Sequence, residues 1–432
     1  MRNSFSGIIL SILFVLSVFA SDSFQKVARG PTEFTLEELL GQVMENNPEL
    51  RSFEADVSIA RAQRRQAGSW KNPDVALQYG DRRLTSADGN LAKGYTEGAT
   101  LTQVFEFPGK ASLRKAIADQ DLELADLGLK QFQAALIGRV KLLAYRYAAN
   151  RVQLQTSEQV SDRSGTLIEL LRKRPRAGIQ ALLDSRSLEG NLIELQQIAR
   201  EAEREKVSIL TDLNLLRGQK PSDLIELALT GPSLECKLQL DELIVANKTT
   251  NLLLKIRDLE LHRAKTQVKA SRLAAAPDFS VGPFYSLDKA GERDEKIGLA
   301  ITLPLPFWNQ NEGEIQASKA RQSKVEALIW QTNQEADASI TRLFNTYTLL
   351  QQQIRQIPSN ILKHLEEAAD LADRHYRLGA VNLQTFFEAQ RQLVNVARLQ
   401  QQTILDAERV LLDLELMTHL SLTSPGTTLA KP

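Results

Sequence analysis

Histidine, cysteine and clustered acids are the side chains best able to hold a metal or move a proton, and here they are sparse. The chain has four histidines, His262, His364, His375 and His419, and one cysteine, Cys236. None has a second His or Cys at the spacing of a metal site. His364, Asp370, Asp373 and His375 come nearest, because residues three or four apart share a helix face. A charged helix face is more often simply solvated. A single cysteine excludes an internal disulfide framework and any cysteine-based metal cluster. There is no Ser-His-Asp order, phosphate loop or nucleophile elbow in credible context. No catalytic centre and no cofactor are therefore expected. Basic and acidic residues balance at 53 each, so no basic surface for nucleic acid is implied.

The informative residues lie elsewhere. Ile297, Leu299, Ile301, Leu303 and Leu305 point one way; Gly298, Ala300, Thr302 and Pro304 point the other. A period of two is a strand with one greasy face. Phe307 and Trp308 close it, Asn309 to Gly313 break it, and a helical pattern of about sixty residues follows. The same arrangement occurs at Ala99 to Phe107, then Pro108-Gly109-Lys110, then a long helix. Aromatics crowd these strands: Trp70, Tyr79, Tyr95, Phe105, Phe107, Phe279, Phe284, Tyr285, Phe307 and Trp308. They match the aromatic girdles of a membrane barrel wall, the alternative being plain sandwich-core packing.

These strands must be positioned by helices. Thr35 and Glu38 form a capping box that opens a first helix, and Asn46-Asn47-Pro48 stops it. A second helix runs to Ala67. Strand, polar loop and return strand follow, and then proline-free helix from about Ala111 to Lys173, about 90 Å of rod at ~1.5 Å per residue. Polar loops are expected near Asp81 to Gly94 and Asp288 to Asp294. The plan then repeats. Leu36, Glu38 and Leu39 recur as Leu240, Glu242 and Leu243, an offset of 204 (240 − 36). Leu50, Ala60, Pro73 and Asp74 recur at the same offset, Tyr145 recurs as Tyr347 (347 − 145 = 202), and Gly178 recurs as Gly379 (379 − 178 = 201). Leu192, Leu210 and Leu213 recur as Leu393, Leu411 and Leu414. A fixed period of this kind marks an internal duplication.

The expected boundaries are as follows. Residues 1–20 are a signal peptide, with Arg2, an apolar run from Ile8 to Ala20, and cleavage before Ser21. Residues 21–33 are an N-terminal linker. Residues 34–218 form the first repeat, with strands at about 74–83 and 95–107 and helices at about 111–173 and 181–216. Residues 219–239 are a linker. Residues 240–420 form the second repeat, with strands at about 278–287 and 295–305 and helices at about 312–375 and 382–420. Residues 421–432 are a tail. Pro358 should kink or break the second long rod. The last helix carries a heptad seam at Phe386, Ala389, Leu393, Val396, Ala407, Val410, Leu414 and Met417.

The fold class is therefore mainly α with membrane β. Four strands cannot close a barrel and open edges are not tolerated in lipid, so several chains must pool them: eight strands from two copies, twelve from three. A secreted coiled-coil structural or adaptor protein is the rival class, but it would not need aromatic-bounded alternating strands.

The chain resembles the TolC-type outer-membrane factor family from Phe34 to Leu420. The resemblance is carried by Asn46-Asn47-Pro48, the Pro-Asp pairs at Pro73 and Pro277, and Phe105-Glu106-Phe107-Pro108-Gly109-Lys110. It is carried further by Leu303 to Gly313 and the tip Tyr376-Arg377-Leu378-Gly379. The FPGK and LPLPF forms look most like the heavy-metal (cobalt-zinc-cadmium) branch. The resemblance implies a homotrimer with a twelve-stranded barrel in the outer membrane and a helical tunnel in the periplasm. It also implies a periplasmic membrane-fusion adaptor, an inner-membrane RND transporter driven by protons, and passive export, with heavy-metal cations favoured as cargo over drugs.

The same resemblance implies roles for residues near the two hairpin tips. Adaptor contact falls on Arg174, Gly178, Arg377, Leu378 and Gly379. Each glycine is expected to supply a left-handed residue at a helix end. The periplasmic gate falls on Asp184, Tyr376 and Glu388. Val381, Thr385 and Pro175 depart from the family pattern, and Arg186 or Arg391 is the substitute for a missing arginine. Trp70, Tyr79, Phe107, Phe307 and Trp308 are the expected membrane-interface aromatics.

Overall fold

Local chemistry sets the element boundaries. In the computed structural model, which describes residues 32–85, 89, 91–173, 178–228, 238–358, 360–420 and 422, a short strand β1 (Thr32–Phe34) leads into α1 (Leu36–Asn46). Thr35 and Glu38 make the full capping box, each side chain bonding the other's backbone N–H. The expected signal peptide, Arg174 and nearly all of the tail lie outside the described residues. Asn47 then caps α2 (Pro48–Ala67): its Oδ1 accepts from the Leu50 N–H at 2.8 Å, and its Nδ2 donates to the Leu216 carbonyl at 2.8 Å. Strands β2 (Asp74–Thr85) and β3 (Leu91–Phe105) follow, then α3 (Lys110–Lys173) and α4 (Gly178–Leu216). The 64 residues of α3 make a rod of about 96 Å.

A strand β4 (Ile225–Leu227) precedes the second series: α5 (Leu240–Thr250), α6 (Leu252–Ala274), β5 (Phe279–Ala290), β6 (Glu292–Thr302), α7 (Glu312–Gln356), α8 (Ile361–Arg377) and α9 (Leu383–Thr418). Asn251 repeats the Asn47 role, capping α6 through the Leu253 N–H. The element order of the two series is the same with one exception. Where the first has the single rod α3, the second has α7 and α8 with Pro358 in the break, because proline removes a helix bond and clashes with the preceding turn.

Several boundaries need correction. The stretches expected as linkers, 21–33 and 219–239, include β1 and β4, which pair in parallel, Thr32 to Ile225 through Phe34 to Leu227. The helix expected over 312–375 is two helices. The expected polar loops are mostly strand: β2 extends to Thr85, β3 begins at Leu91, and β5 and β6 are separated only by Gly291, with φ +87°. Polarity misleads there because the backbone pairing of each hairpin continues while charged side chains occupy both faces, Asp81 and Arg83 on one and Arg82 on the other. β6 stops at Thr302, so Leu303 and Leu305 lie beyond the sheet. The α9 seam also drifts. Leu393, Ala407, Val410 and Leu414 are buried as expected, but Gln390 and Ala397 are buried in place of Ala389 and Val396. A straight α-helix drifts from a strict seven-residue repeat, and α9 packs on α3, α7 and α8 rather than on one partner.

The larger sheet is antiparallel throughout, in the order β2-β3-β5-β6. The helices bury a core for each series. Leu39, Val140 and Leu213 centre the first; Leu243, Ile340, Leu411 and Leu414 centre the second. Further along the rods both series share apolar clusters, one around Val160, Ala369 and Leu393 and one around Leu167, Leu188 and Phe386.

Candidate functional site

Register decides which side chains share a face of the sheet, because directly paired residues point the same way. Val75 pairs with Leu101, Leu77 with Ala99 and Tyr79 with Glu97. Ala99 pairs with Tyr285, and across the next pair Val281 meets Ile301, Pro283 meets Leu299 and Tyr285 meets Ile297. From Val75 and Leu101 to the row of Leu77, Ala99, Tyr285 and Ile297 this is one apolar face, giving way to Glu97 and Glu295 in the next row, and it is bare along the edge strands: Leu77 and Ile297 are 79 % and 80 % exposed. The opposite face carries Gln78, Thr96, Thr100, Gly282, Ser286, Gly298 and Thr302. Gly298 lies under the Phe284 ring, where a Cβ would come within 2.6 Å of it.

Most of the aromatics fall at two levels, with Tyr285 and Phe284 between them opposite Ala99 and Thr100. Trp70 meets Phe105 edge-on at 6.1 Å, and Phe105 stacks on Phe279 at 5.4 Å. Phe107 follows at the end of β3, and Phe307 and Trp308 follow β6, with Trp308 96 % exposed. Tyr79 stacks on Tyr95 at the other end. From Tyr95 to Phe105 is about 33 Å of strand at ~3.3 Å per residue. At the tilt usual in a barrel that gives a height of about 25 Å, the thickness of an outer-membrane apolar band.

The FPGK stretch joins the two series. Gly109, at φ +95°, makes the turn in which the Lys110 N–H donates to the Phe107 carbonyl at 3.1 Å. Lys110 Nζ then reaches Asp278 at 2.8 Å and the Ala276 carbonyl at 2.6 Å, and the Phe107 N–H donates to Asp278 at 3.0 Å. The first strand-to-helix junction is therefore bonded to the Pro-Asp start of the second strand pair.

At the other end of the rods, α8 closes in a Schellman motif. The Gly379 N–H donates to the Tyr376 carbonyl at 3.0 Å and the Ala380 N–H to the His375 carbonyl at 2.9 Å. Gly379 sits at φ +75°, as expected of a left-handed cap. Gly178 differs: it is the first residue of α4, inside the helix. Leu378 is exposed, and Arg377 is ion-paired with Asp373 at 2.9 Å. Tyr376 packs its ring on the buried Phe386 at 5.8 Å, in the cluster that also holds Leu188 of α4. Asp184 lies about one turn from Leu188, half-buried; Glu388 is exposed on α9 and accepts from Gln392 at 2.9 Å. Thr385, one of the departures from the family pattern, helps cap α9: its N–H and hydroxyl both donate to Asn382. Arg186 pairs with Glu189 at 2.9 Å, while Arg391 lines a small cavity between α4 and α9.

The loose metal cluster does not assemble. Asp370 pairs with Arg163 at 2.9 Å, Asp373 with Arg377, and His364 bonds Asn360 at 3.0 Å. Among the described residues no three His, Cys, Asp or Glu side chains are placed to hold a metal.

Two features were missed from the sequence. One is a charged group on the polar face of the sheet, in which Arg82 and Thr96 both bond Asp288 and Lys296 pairs with Asp294 at 2.8 Å. The sequence shows only unbroken charge runs there, Asp81 to Arg83 and Glu292 to Lys296, from which the strand register alone picks out the groups that share a face. The second is Glu408. It lies on α9, with Lys141 and Tyr145 of α3 and Glu415 of its own helix as its charged and titratable surroundings. Glu408 is 1 % exposed, and among the described residues neither carboxyl oxygen has a hydrogen-bond partner. Burial, reinforced by the charge of Glu415 and opposed by Lys141, pushes its pKa up to about 7. Burial and the two glutamates push Tyr145 up to about 12. Lys141 itself pairs with Glu415 at 3.1 Å.

Comparison with known proteins places this geometry. The model of the outer membrane efflux protein family matches residues 39–219 and 248–415. The pyoverdine export outer membrane protein OpmQ of Pseudomonas aeruginosa is 22% identical over 387 residues, covering 83% of this chain and 79% of that protein. The Campylobacter jejuni CmeC outer membrane channel superposes with a TM-score of 0.71 at 14% identity, over 89% of this chain and 85% of that one. The outer membrane protein VceC of Vibrio cholerae gives 0.68 at 19%, over 89% and 95%. At these identities the structural likeness is one of fold.

Proposed function

The chain belongs to the outer membrane efflux protein family, a family of channels and not of enzymes, and from that premise we propose that it is the outer-membrane exit duct of a tripartite efflux pump. Three copies each contribute β2, β3, β5 and β6 to one twelve-stranded barrel, and α3, α4, α7, α8 and α9 continue the bore into the periplasm. The single observation that carries this is the bare apolar face of a four-stranded sheet whose two edge strands, β2 and β6, lack a further partner among the described residues. Lipid does not tolerate such edges. Because the strands alternate in direction, β6 of one copy meets β2 of the next antiparallel, so identical copies close the ring without a break in pattern.

The two series of elements descend from an internal duplication. The tips, with Gly178, Arg377, Leu378 and Gly379, meet a periplasmic adaptor that links the duct to an inner-membrane RND transporter. Asp184, Tyr376 and Glu388 line the periplasmic gate, and rings of three acids favour cations. Trp70, Tyr79, Phe107, Phe307 and Trp308 sit at the membrane interfaces. The duct itself is passive. Heavy-metal cations are the cargo favoured by the FPGK and LPLPF stretches; export of drugs or other small molecules is the second reading, favoured by the likeness to the pyoverdine export protein OpmQ.

Detergent-extracted protein should run as a trimer and conduct ions in a planar bilayer. A monomer soluble without detergent contradicts the reading. Glu388→Gln with Asp184→Asn should lower cation preference, and an unchanged reversal potential removes those two residues from the gate. Loss of the gene should sensitise cells to cobalt, zinc or cadmium; unchanged metal tolerance with loss of drug or other small-molecule export selects the second reading.

A further inference from the structure

We propose that Arg82, Asp288, Asp294 and Lys296 form a charged belt around the outer mouth of the barrel, a specificity-determining element separate from the periplasmic acids; this rests on the duct reading above. The four lie on the polar face, the one that looks into the bore if the apolar face meets lipid. Gly80, Thr96, Asp288 and Asp294 are paired across all four strands in one row. Two carboxylates directly opposite one another repel. Each is matched by a cation from a neighbouring row: Arg82 bonds Asp288, and Lys296 bonds Asp294. The Thr96 hydroxyl also donates to Asp288.

The reach of Arg82 is the unusual part. It stands on β2 and Asp288 on β5, with β3 between them. The residue of β3 opposite Arg82 is Gly94, and the one opposite Thr96 on β2 is Gly80. With no side chains there, the guanidinium crosses the intervening strand. Gly94 cannot be replaced cheaply, since a Cβ at that position would fall 1.4 Å from the Lys289 carbonyl oxygen. The result is two cations and two anions laid across the wall, repeated three times at one height in the trimer. Charge rings at a pore mouth set which ions enter.

The test is the sign of the response. Arg82→Gln leaves each copy with an extra negative charge, so the cation-over-anion permeability ratio should rise about twofold or more. Asp288→Asn leaves an extra positive charge, and the ratio should fall by a similar factor. Lys296→Gln gives a second route to the first outcome should Arg82→Gln not assemble. In each case the shift should be larger when salt is diluted on the strand side of the bilayer than on the helix side, because screening acts locally. A merely structural brace would weaken heat stability in all three variants without opposed permeability shifts. Shifts of like sign, or none, in a conducting trimer overturn the belt alone. Absence of conductance in the unsubstituted protein overturns the duct reading and the belt with it.

Discussion

Val207 on α4 and Glu408 on α9 occupy corresponding places in the two series, by the offset that maps Leu210 to Leu411 and Leu213 to Leu414. The valine is 57 % exposed and the glutamate 1 %. Hydropathy alone predicts the reverse. The cause is what surrounds each helix. In the single chain α4 packs chiefly on α3, whereas α9 is enclosed by α3, α5, α7 and α8. Equivalent faces of equivalent helices therefore meet solvent in one series and a helix layer in the other. The second series also trades apolar for polar elsewhere: buried Val43 of α1 corresponds to buried Asn247 of α5, whose Nδ2 lacks a partner. The lesson is that matching positions in two like series of elements need not share an environment.

The largest test of that comparison lies where the two series agree. Leu213 and Leu414 are both fully buried, so Leu213→Ala and Leu414→Ala should each destabilise by about 3–5 kcal/mol. The measurement is denaturant unfolding of detergent-solubilised protein followed by helical circular dichroism. A loss below about 1 kcal/mol at either site would show that the two cores are not equivalent.

The next effect belongs to the second series alone. The pKa of Glu408 is raised in the folded chain, from 4.5 to about 7. The folded state therefore holds a proton that the unfolded chain has released. Stability from this group is complete below pH 4.5 and is lost as pH rises to about 7, by roughly 3 kcal/mol. Thermal unfolding should show that slope, and Glu408→Gln should flatten it. An unchanged slope in the variant would place the titration elsewhere.

The two tips give a smaller contrast. Gly379→Ala forces a side chain into the left-handed region and should cost about 1 kcal/mol. Gly178→Ala, inside a helix, should be neutral or slightly stabilising. Equal losses at both would mean that the two hairpins turn alike. Smallest of all, Val207→Ala should move the unfolding of the dissociated chain by less than about 0.5 kcal/mol. A loss near 2 kcal/mol would contradict the exposure on which the comparison rests.

Much of this molecule was readable from residue order. The Thr35 capping box, the rod after Lys110, the break at Pro358 and the alternation from Ile297 to Ile301 each depend on neighbours within a few positions. Local sterics and hydrogen bonding suffice to set them, so the residues specify them directly. The offset between Leu39 and Leu243, or Tyr145 and Tyr347, was likewise visible, because it needs only counting. The strand ends near the hairpins were not, since polar residues such as Arg82, Asp288 and Asp294 suit a loop as well as the polar face of a strand. The residues proposed for the gate were marked only by the family resemblance, as positions counted from Gly178 and Gly379, and their packing was not marked at all: Tyr376 against Phe386 joins residues of two helices. The crossing from Arg82 to Asp288 required the register of three strands, and the surroundings of Glu408 required α3 to bring Lys141 and Tyr145 against α9. Both depend on groups far apart in the chain, and a charge is bridged or desolvated only when the fold brings those groups together.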